Sequence, residues 1–381
     1  MFNEIKRYNT KSVKWDVATK KYGDDLVILS IADSEYETCP EVKEDLIKRA
    51  SHGAFGYNYC DDEYYNVVCS WYKNSYNLKI APEWILPSMG VVYSISLITK
   101  LVAKYRVLIQ SPVYHHFFKI PNYSNLDLLV NKLVVYEDSY VIDYNDLEDK
   151  LKQSDVFILC NPQNPVGRVW KKEELEKIVL LCKKYNVFLI SDEVHADIML
   201  FNYKFYSVGH FFDVYDNIAL VSAPSKTFNL AGLQIANIII KNSIIRNQIK
   251  KSLADMLFRT PNIFGMTALI SAYTVGYDYV REQNKHIEDN FLLLKEYFNL
   301  HIKKAKVFNL QGTYLVWVDL GYTGLKSEEI VEGLAKFKVI VSDGATFTRE
   351  ECSFIRINIA CPREFLIRGL NRINEFLINL P

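Results

Sequence analysis

The first residues in this chain whose types could do chemistry are two polar groups carried to the ends of apolar runs. Ser222-Ala-Pro-Ser-Lys-Thr-Phe-Asn229 follows the run Ile218–Val221, which reads as a buried strand bounded by turn residues. Burial disfavours a charged lysine, so Lys226 is a candidate nucleophile or Schiff-base lysine. Upstream, a second apolar run, Val187–Ser191, ends in Asp192-Glu193 and sets a carboxylate at another strand terminus. A lysine for an aldehyde and an acid for a pyridinium nitrogen are the pair that pyridoxal phosphate (PLP) chemistry requires. A lone buried-strand lysine is more often an ordinary ion-pair partner. The pair therefore weighs more than either member.

Other residues gather around it. Gly90 sits between Ile85-Leu86 and a helical pattern from Val91 to Tyr105, where backbone N–H groups at the helix start would hold a phosphate. The Asp155–Cys160 strand ends in Asn161-Pro-Gln-Asn-Pro165, and two Asn-Pro units make a rigid loop that presents Asn164. His195 lies three residues after Asp192, and Tyr114 follows the strand Val107–Gln110. Arg356 interrupts an apolar strand, 354–360; alone it reads as an edge residue facing water, but beside a PLP site it becomes a bidentate carboxylate clamp. Glu193 competes with Asp192 for the pyridinium role, although adjacent strand positions point to opposite faces.

The elements that position these residues alternate strand with helix, each motif at a strand's end, which predicts a mostly parallel α/β sheet with its site along one edge. From about Pro261 long helices follow, then strands at 312–320 and 354–360 around a helix at 326–338, which read as a smaller α+β domain. The expected division is an N-terminal segment at 1–50 packing with the small domain, a large PLP-binding domain at 51–280 and the small domain at 281–381. A chain of 381 residues, 49% hydrophobic and 24% charged, is long enough for two such cores. Its 45 basic and 45 acidic residues cancel, so no nucleic-acid or membrane surface is expected. Seven scattered cysteines without a CxxC argue against a disulfide framework or zinc site and for a reduced, cytoplasmic protein. The first residues lack the apolar stretch of a signal peptide, and no run is long enough to span a bilayer.

Taken together, these motifs resemble the fold-type I PLP enzymes, and within them the cystathionine β-lyase group of MalY/PatB-type C–S lyases. The likeness runs along Lys14-Trp15-Asp16, Phe55-Gly56-Tyr57, Gly90-Val91-Val92, Gln110-Ser-Pro-Val-Tyr114 and Cys160-Asn-Pro-Gln-Asn-Pro-Val-Gly-Arg168. It continues through Ser191-Asp-Glu-Val-His-Ala-Asp197, the Lys226 motif, Pro261-Asn-Ile-Phe-Gly265 and Arg356-Ile-Asn-Ile-Ala-Cys-Pro362. The resemblance implies a seven-stranded large sheet flanked by helices.

It also implies roles. Lys226 would hold PLP and later move protons at Cα, Asp192 would face the pyridinium N–H, and Tyr114 would stack on the ring. Asn164 would donate to the phenolic oxygen, with His195 near that side. The N–H groups of Val91 and Val92 after Gly90, with Ser225, would bind the phosphate, and Tyr57 would reach the phosphate of a neighbouring subunit, implying a homodimer. Arg356 would grip the substrate carboxylate, with Asn164 and Asp33 also at the substrate. No metal is implied. The expected reaction is β-elimination from an amino acid with a thioether on Cβ, giving a thiol, pyruvate and ammonia. Alternatives are an aminotransferase and a catalytically weak member with a regulatory role. Ala223 and Gln234 replace a serine and an arginine of the wider aminotransferase pattern, which favours the lyase. Ala32-Asp33-Ser34-Glu35-Tyr36 departs from the lyase group's Ala-Asp-Met-Asp-Phe in a segment expected near the substrate cleft.

Overall fold

The structure is a computed structural model that describes residues 5–380. Runs such as Val156–Cys160 and Ile218–Ser222 are apolar at nearly every position because helices cover both faces of the sheet they enter. In spatial order the strands are Ile85–Ser88, Ala236–Ile239, Ile218–Ser222, Phe188–Asp192, Val156–Cys160, Arg106–Ser111, Asp127–Tyr136 and Ser139–Ile142. Ala236–Ile239 and Ser139–Ile142 run against their neighbours, and the other strands between residues 106 and 222 pair in parallel.

The sheet thus has eight strands where seven were expected. The added strand is the short edge Ser139–Ile142, joined to its partner by a tight turn in which Glu137 takes φ 52°. No glycine or Asn-Gly pair marks that turn, so the hairpin left no signal in the sequence.

Alternate side chains of the same strands serve opposite cores. Leu108, Phe157, Leu159, Leu189 and Leu220 pack toward helices Asp62–Tyr76, Lys172–Tyr185 and Ile263–Val275. Ile109, Ile158, Ile190 and Val221 pack toward helices Val91–Val102 and Ser243–Asp255. Each fully buried Leu or Ile is worth about 1.5–3 kcal/mol, so the strand positions are fixed from both sides. The Asp61 side chain caps the Asp62–Tyr76 helix by accepting from the Tyr64 N–H at 3.2 Å.

A third core joins the N-terminal residues Trp15, Leu26–Leu29 and Tyr36 to helices Tyr277–His301 and Arg363–Ile378. It also takes in a four-stranded antiparallel sheet of Lys306–Val307, Leu315–Asp319, Phe354–Asn358 and Ser342–Asp343. Val27 and Ile28 pair in parallel with Val339 and Ile340, tying the N-terminal segment to this unit.

Candidate active site

Parallel strands deliver their last residues to one edge of the sheet. Cys160 is in register with Asp192, and Asp192 with Val221, one residue before Ser222. Beyond that edge lies a cavity of about 350 Å³, the place where an open α/β sheet binds its ligands. Gly90, Val91, Val92, Tyr114, Asn164, Asp192, His195, Ser225 and Lys226 all line it. Nine of the residues singled out by sequence therefore meet in one space.

Gly90 takes φ +146°, a conformation that strains any residue with a Cβ, and a Cβ placed there would meet no atom within 4 Å. The open space is the cradle at the start of helix Val91–Val102, whose first N–H groups have no partner within the helix. Ser225 faces the same cavity, as does Gln234, which stands where the wider family pattern has an arginine. Anion binding here would rest on backbone N–H groups and a hydroxyl.

Lys226 is half-buried, and desolvation of its amine pulls its pKa down to about 8 against the opposing pull of Asp33 and Asp192. Its Nζ donates to the Ala32 carbonyl at 2.7 Å. Burial pushes the Asp192 carboxyl up to about 7, while the Val194 N–H, donating to Oδ1 at 3.1 Å, and the charge of Lys226 hold it down. Glu193 points elsewhere. Its carboxylate accepts from the Ser191 and Ser207 hydroxyls at 3.0 and 2.7 Å and from the Val208 N–H at 3.0 Å, away from the cavity.

Arg356 lies on the Phe354–Asn358 strand between Trp317 and Ser342. It is buried, its guanidinium 4.4 Å from the Phe347 ring centroid, and it donates to Asn164 Oδ1 at 3.0 Å and Ser342 Oγ at 3.2 Å. Among the described residues no carboxylate pairs with it, and its Nε has no partner. Desolvation draws its pKa down to about 10. Since Asn164 accepts through Oδ1, its amide nitrogen remains as the donor. His195 Nδ1 is a second buried polar atom without a partner among the described residues; its ring lies edge-on to Tyr314 at 5.9 Å, and burial holds it neutral. Burial likewise pushes the Tyr114 hydroxyl up to about 12.

Arg356 stands beside the cavity without lining it, and two further residues, Tyr57 and Asp33, lie outside it. Tyr57 is fully exposed in the loop before Asp61 and touches none of the residues above within its own chain. The Asp33 carboxylate is engaged by Arg7 at 2.8 Å and Lys14 at 3.3 Å; these outweigh burial and lower its pKa, and it is the neighbouring Ala32 that borders the cavity. Ser34, Glu35 and Tyr36 are buried away from it. Glu35 accepts from Lys14 at 2.5 Å and from Trp15 Nε1 at 2.8 Å, and the Ser34 and Tyr36 carbonyls accept from Asn229 Nδ2. Their departures from the lyase pattern therefore bear on how the N-terminal segment is held. Sequence reasoning also missed Ala32, Cys160, Val194 and Ile235 as cavity walls. Only their position beside strand ends could have pointed to them.

The sheet order, the lysine and aspartate at its carboxyl edge and the helix cradle opposite define the fold of the fold-type I PLP enzymes. The chain belongs to the aminotransferase class I and II family, whose model matches residues 24–373. The cystathionine β-lyase PatB of Bacillus subtilis (strain 168) is 35% identical over 378 residues, covering 97% of this chain and 98% of the relative. Cystalysin from Treponema denticola, whose crystal structure contains a pyridoxal 5′-phosphate cofactor, superposes with a TM-score of 0.96 at 31% identity, covering 100% of this chain and 99% of that one. The PLP-bound C–S lyase from Staphylococcus hominis has a TM-score of 0.92 at 28% identity, with 99% and 97% covered.

Proposed function

We propose that this protein is a PLP-dependent carbon–sulfur β-lyase that cleaves L-cystathionine or a related cysteine S-conjugate to a thiol, pyruvate and ammonia. One observation carries the reading: a buried guanidinium with no carboxylate partner among the described residues stands beside a cavity that already holds a desolvated lysine and a buried aspartate. The donor set fits PLP. Lys226 would hold its aldehyde, Asp192 its ring nitrogen and Tyr114 its ring face. The Asn164 amide would meet the phenolic oxygen beside His195, and the Val91 and Val92 N–H groups with Ser225 would hold the phosphate in the space that Gly90 leaves open.

When bound, PLP supplies an electron sink for the carbanion at the amino acid's Cα. Arg356 meets the substrate carboxylate bidentately, and Asn164 fixes the guanidinium's plane. Asp192, ionised beside a protonated ring nitrogen, keeps that nitrogen's proton in place. Lys226, drawn down to about 8, is neutral in roughly a fifth of molecules near physiological pH, far more than an ordinary lysine, and takes the Cα proton as general base. The Cβ–S bond then breaks with its electron pair leaving on sulfur, and water converts the three-carbon remainder to pyruvate and ammonia.

The similarity to PatB and to the C–S lyase supports elimination over transamination. A homodimer and a cytoplasmic setting accompany the reading, with seven free thiols supporting the second. Among the described residues no helix is long and apolar enough to cross a membrane. The test is one incubation of PLP-loaded protein with L-cystathionine and no 2-oxo acid. Sustained release of thiol, pyruvate and ammonia over many turnovers is expected. A stop after one turnover with pyridoxamine phosphate accumulating makes the protein an aminotransferase.

A further inference from the structure

Asp197 carries a half-buried carboxylate that the chemistry above does not use. It lies two residues beyond His195 in the turn that follows Asp192, and no cation pairs with it among the described residues. Neutral donors satisfy it instead. Oδ1 accepts from Trp71 Nε1 at 3.0 Å and from the Tyr76 hydroxyl, and Oδ2 accepts from the Thr227 hydroxyl at 2.7 Å. Thr227 is the residue after Lys226. Its carbonyl is gripped too, by Gln283 Nε2 at 2.8 Å, and the Asp197 carbonyl takes the neighbouring Asn284 amide at 2.8 Å.

The Asp197–Thr227 bond therefore joins the turn bearing Asp192 and His195 to the loop bearing Ser225 and Lys226, from the side away from the cavity. Resting on the PLP reading, we infer that Asp197, acting through Thr227, is a positioning residue that fixes the Lys226 backbone against Asp192 while the Lys226 side chain changes task. Lys226 must hold the cofactor and, once released, reach the Cα proton; only a fixed backbone lets one side chain meet both targets. A carboxylate suits the place because it accepts on both sides at once. Trp71 offers only a donor, so an amide here would have to turn its nitrogen toward Thr227 and reverse that bond.

The test compares Thr227→Val, which keeps the shape and removes the hydroxyl, with Thr227→Ser, which restores it. Three quantities are read: the melting temperature of the cofactor-free protein, the rate at which it forms the Schiff-base absorbance band with PLP, and the kcat and KM of the loaded enzyme. Thr227→Val should slow Schiff-base formation and lower kcat, each by about tenfold or more, with KM within about twofold, since Arg356 is untouched. Thr227→Ser should return both rates. A folded Thr227→Val protein with wild-type rates overturns the inference, as does a Thr227→Ser protein as slow as the valine variant. Should Thr227→Val fail to fold, Asp197→Ala, which removes the acceptor altogether, carries the same comparison, and wild-type rates there overturn it equally. Schiff-base formation decides the matter whether the reaction is elimination or transamination, whereas a wild-type protein that forms no Schiff base removes the cofactor reading itself.

Discussion

Lys226 and Asp192 are both driven toward neutrality by burial, so their titrations should be visible in opposite experiments. Neutral Lys226 is the form that adds to an aldehyde. The rate of Schiff-base formation by cofactor-free protein should climb with pH and level off near 8, where an ordinary lysine would go on rising to about 10.5. Stopped-flow absorbance across pH 6–10 reads this, and a rise that continues past pH 9.5 refutes a desolvated lysine. Asp192 runs the other way. Its folded pKa of about 7 lies above the ordinary value of 3.8, so the folded chain holds a proton that the unfolded chain has lost, and stability drains away as pH rises through 7. Asp192→Asn cannot ionise. Between pH 5 and 9 the cofactor-free variant should therefore lose about 3 kcal/mol less than wild type in urea unfolding, and equal losses would place the Asp192 titration elsewhere. At this scale the site was largely legible, because lysine, aspartate, asparagine and arginine each stand out when an apolar strand carries them. Glu193 was the ambiguity, resolved by three hydrogen bonds that only the folded chain supplies.

Elements were legible where hydrophobic period and turn chemistry agree, as in the strands ending at Cys160, Asp192 and Ser222. They were hidden where long-range pairing decides. The Ser139–Ile142 edge exists because Asp127–Tyr136 offers it a partner, and the sequence between them holds no turn signal. The N-terminal strap is the more consequential case. Its many polar residues carry no regular hydrophobic period, yet Lys14 and Glu35 are buried against each other, and Arg7, Trp15 and Asp33 complete the cluster. A buried ion pair contributes little net stability while intact, but removing one partner strands the other charge. Glu35→Ala should cost about 3 kcal/mol in urea unfolding and raise KM, because Ala32, which lines the cavity, hangs from the same strap. An unchanged unfolding midpoint would show that the cluster is not holding the segment.

At the scale of the molecule, the proposed homodimer would bring the most exposed aromatic loop to the cavity of a second copy. Phe55, Tyr57 and Tyr59 are all exposed, Phe55 lies against Phe264 with ring centroids 5.5 Å apart, and Asn58 braces the loop by donating to the Pro261 carbonyl at 2.9 Å. Exposed apolar side chains gathered on an ordered support mark an association surface. Tyr57 reaches nothing in its own chain's cavity, so a role at the phosphate requires a second copy. The holoenzyme should then migrate at about twice the 44.3 kDa of the chain. Sharing of residues makes a sharper prediction. Lys226→Ala removes the lysine from its own site, whereas Tyr57→Ala would damage the site of its partner. Each variant alone should be nearly inactive. Mixed, dissociated and reassociated in equal amounts, half the dimers carry one of each chain, and in those the site with Lys226 also receives an intact Tyr57. Activity should return to about a quarter of wild type, because half of the dimers regain one of two sites. Mixing that restores nothing, while both variants still run as dimers, would mean that Tyr57 serves no neighbouring site and that the aromatic loop is an interface alone.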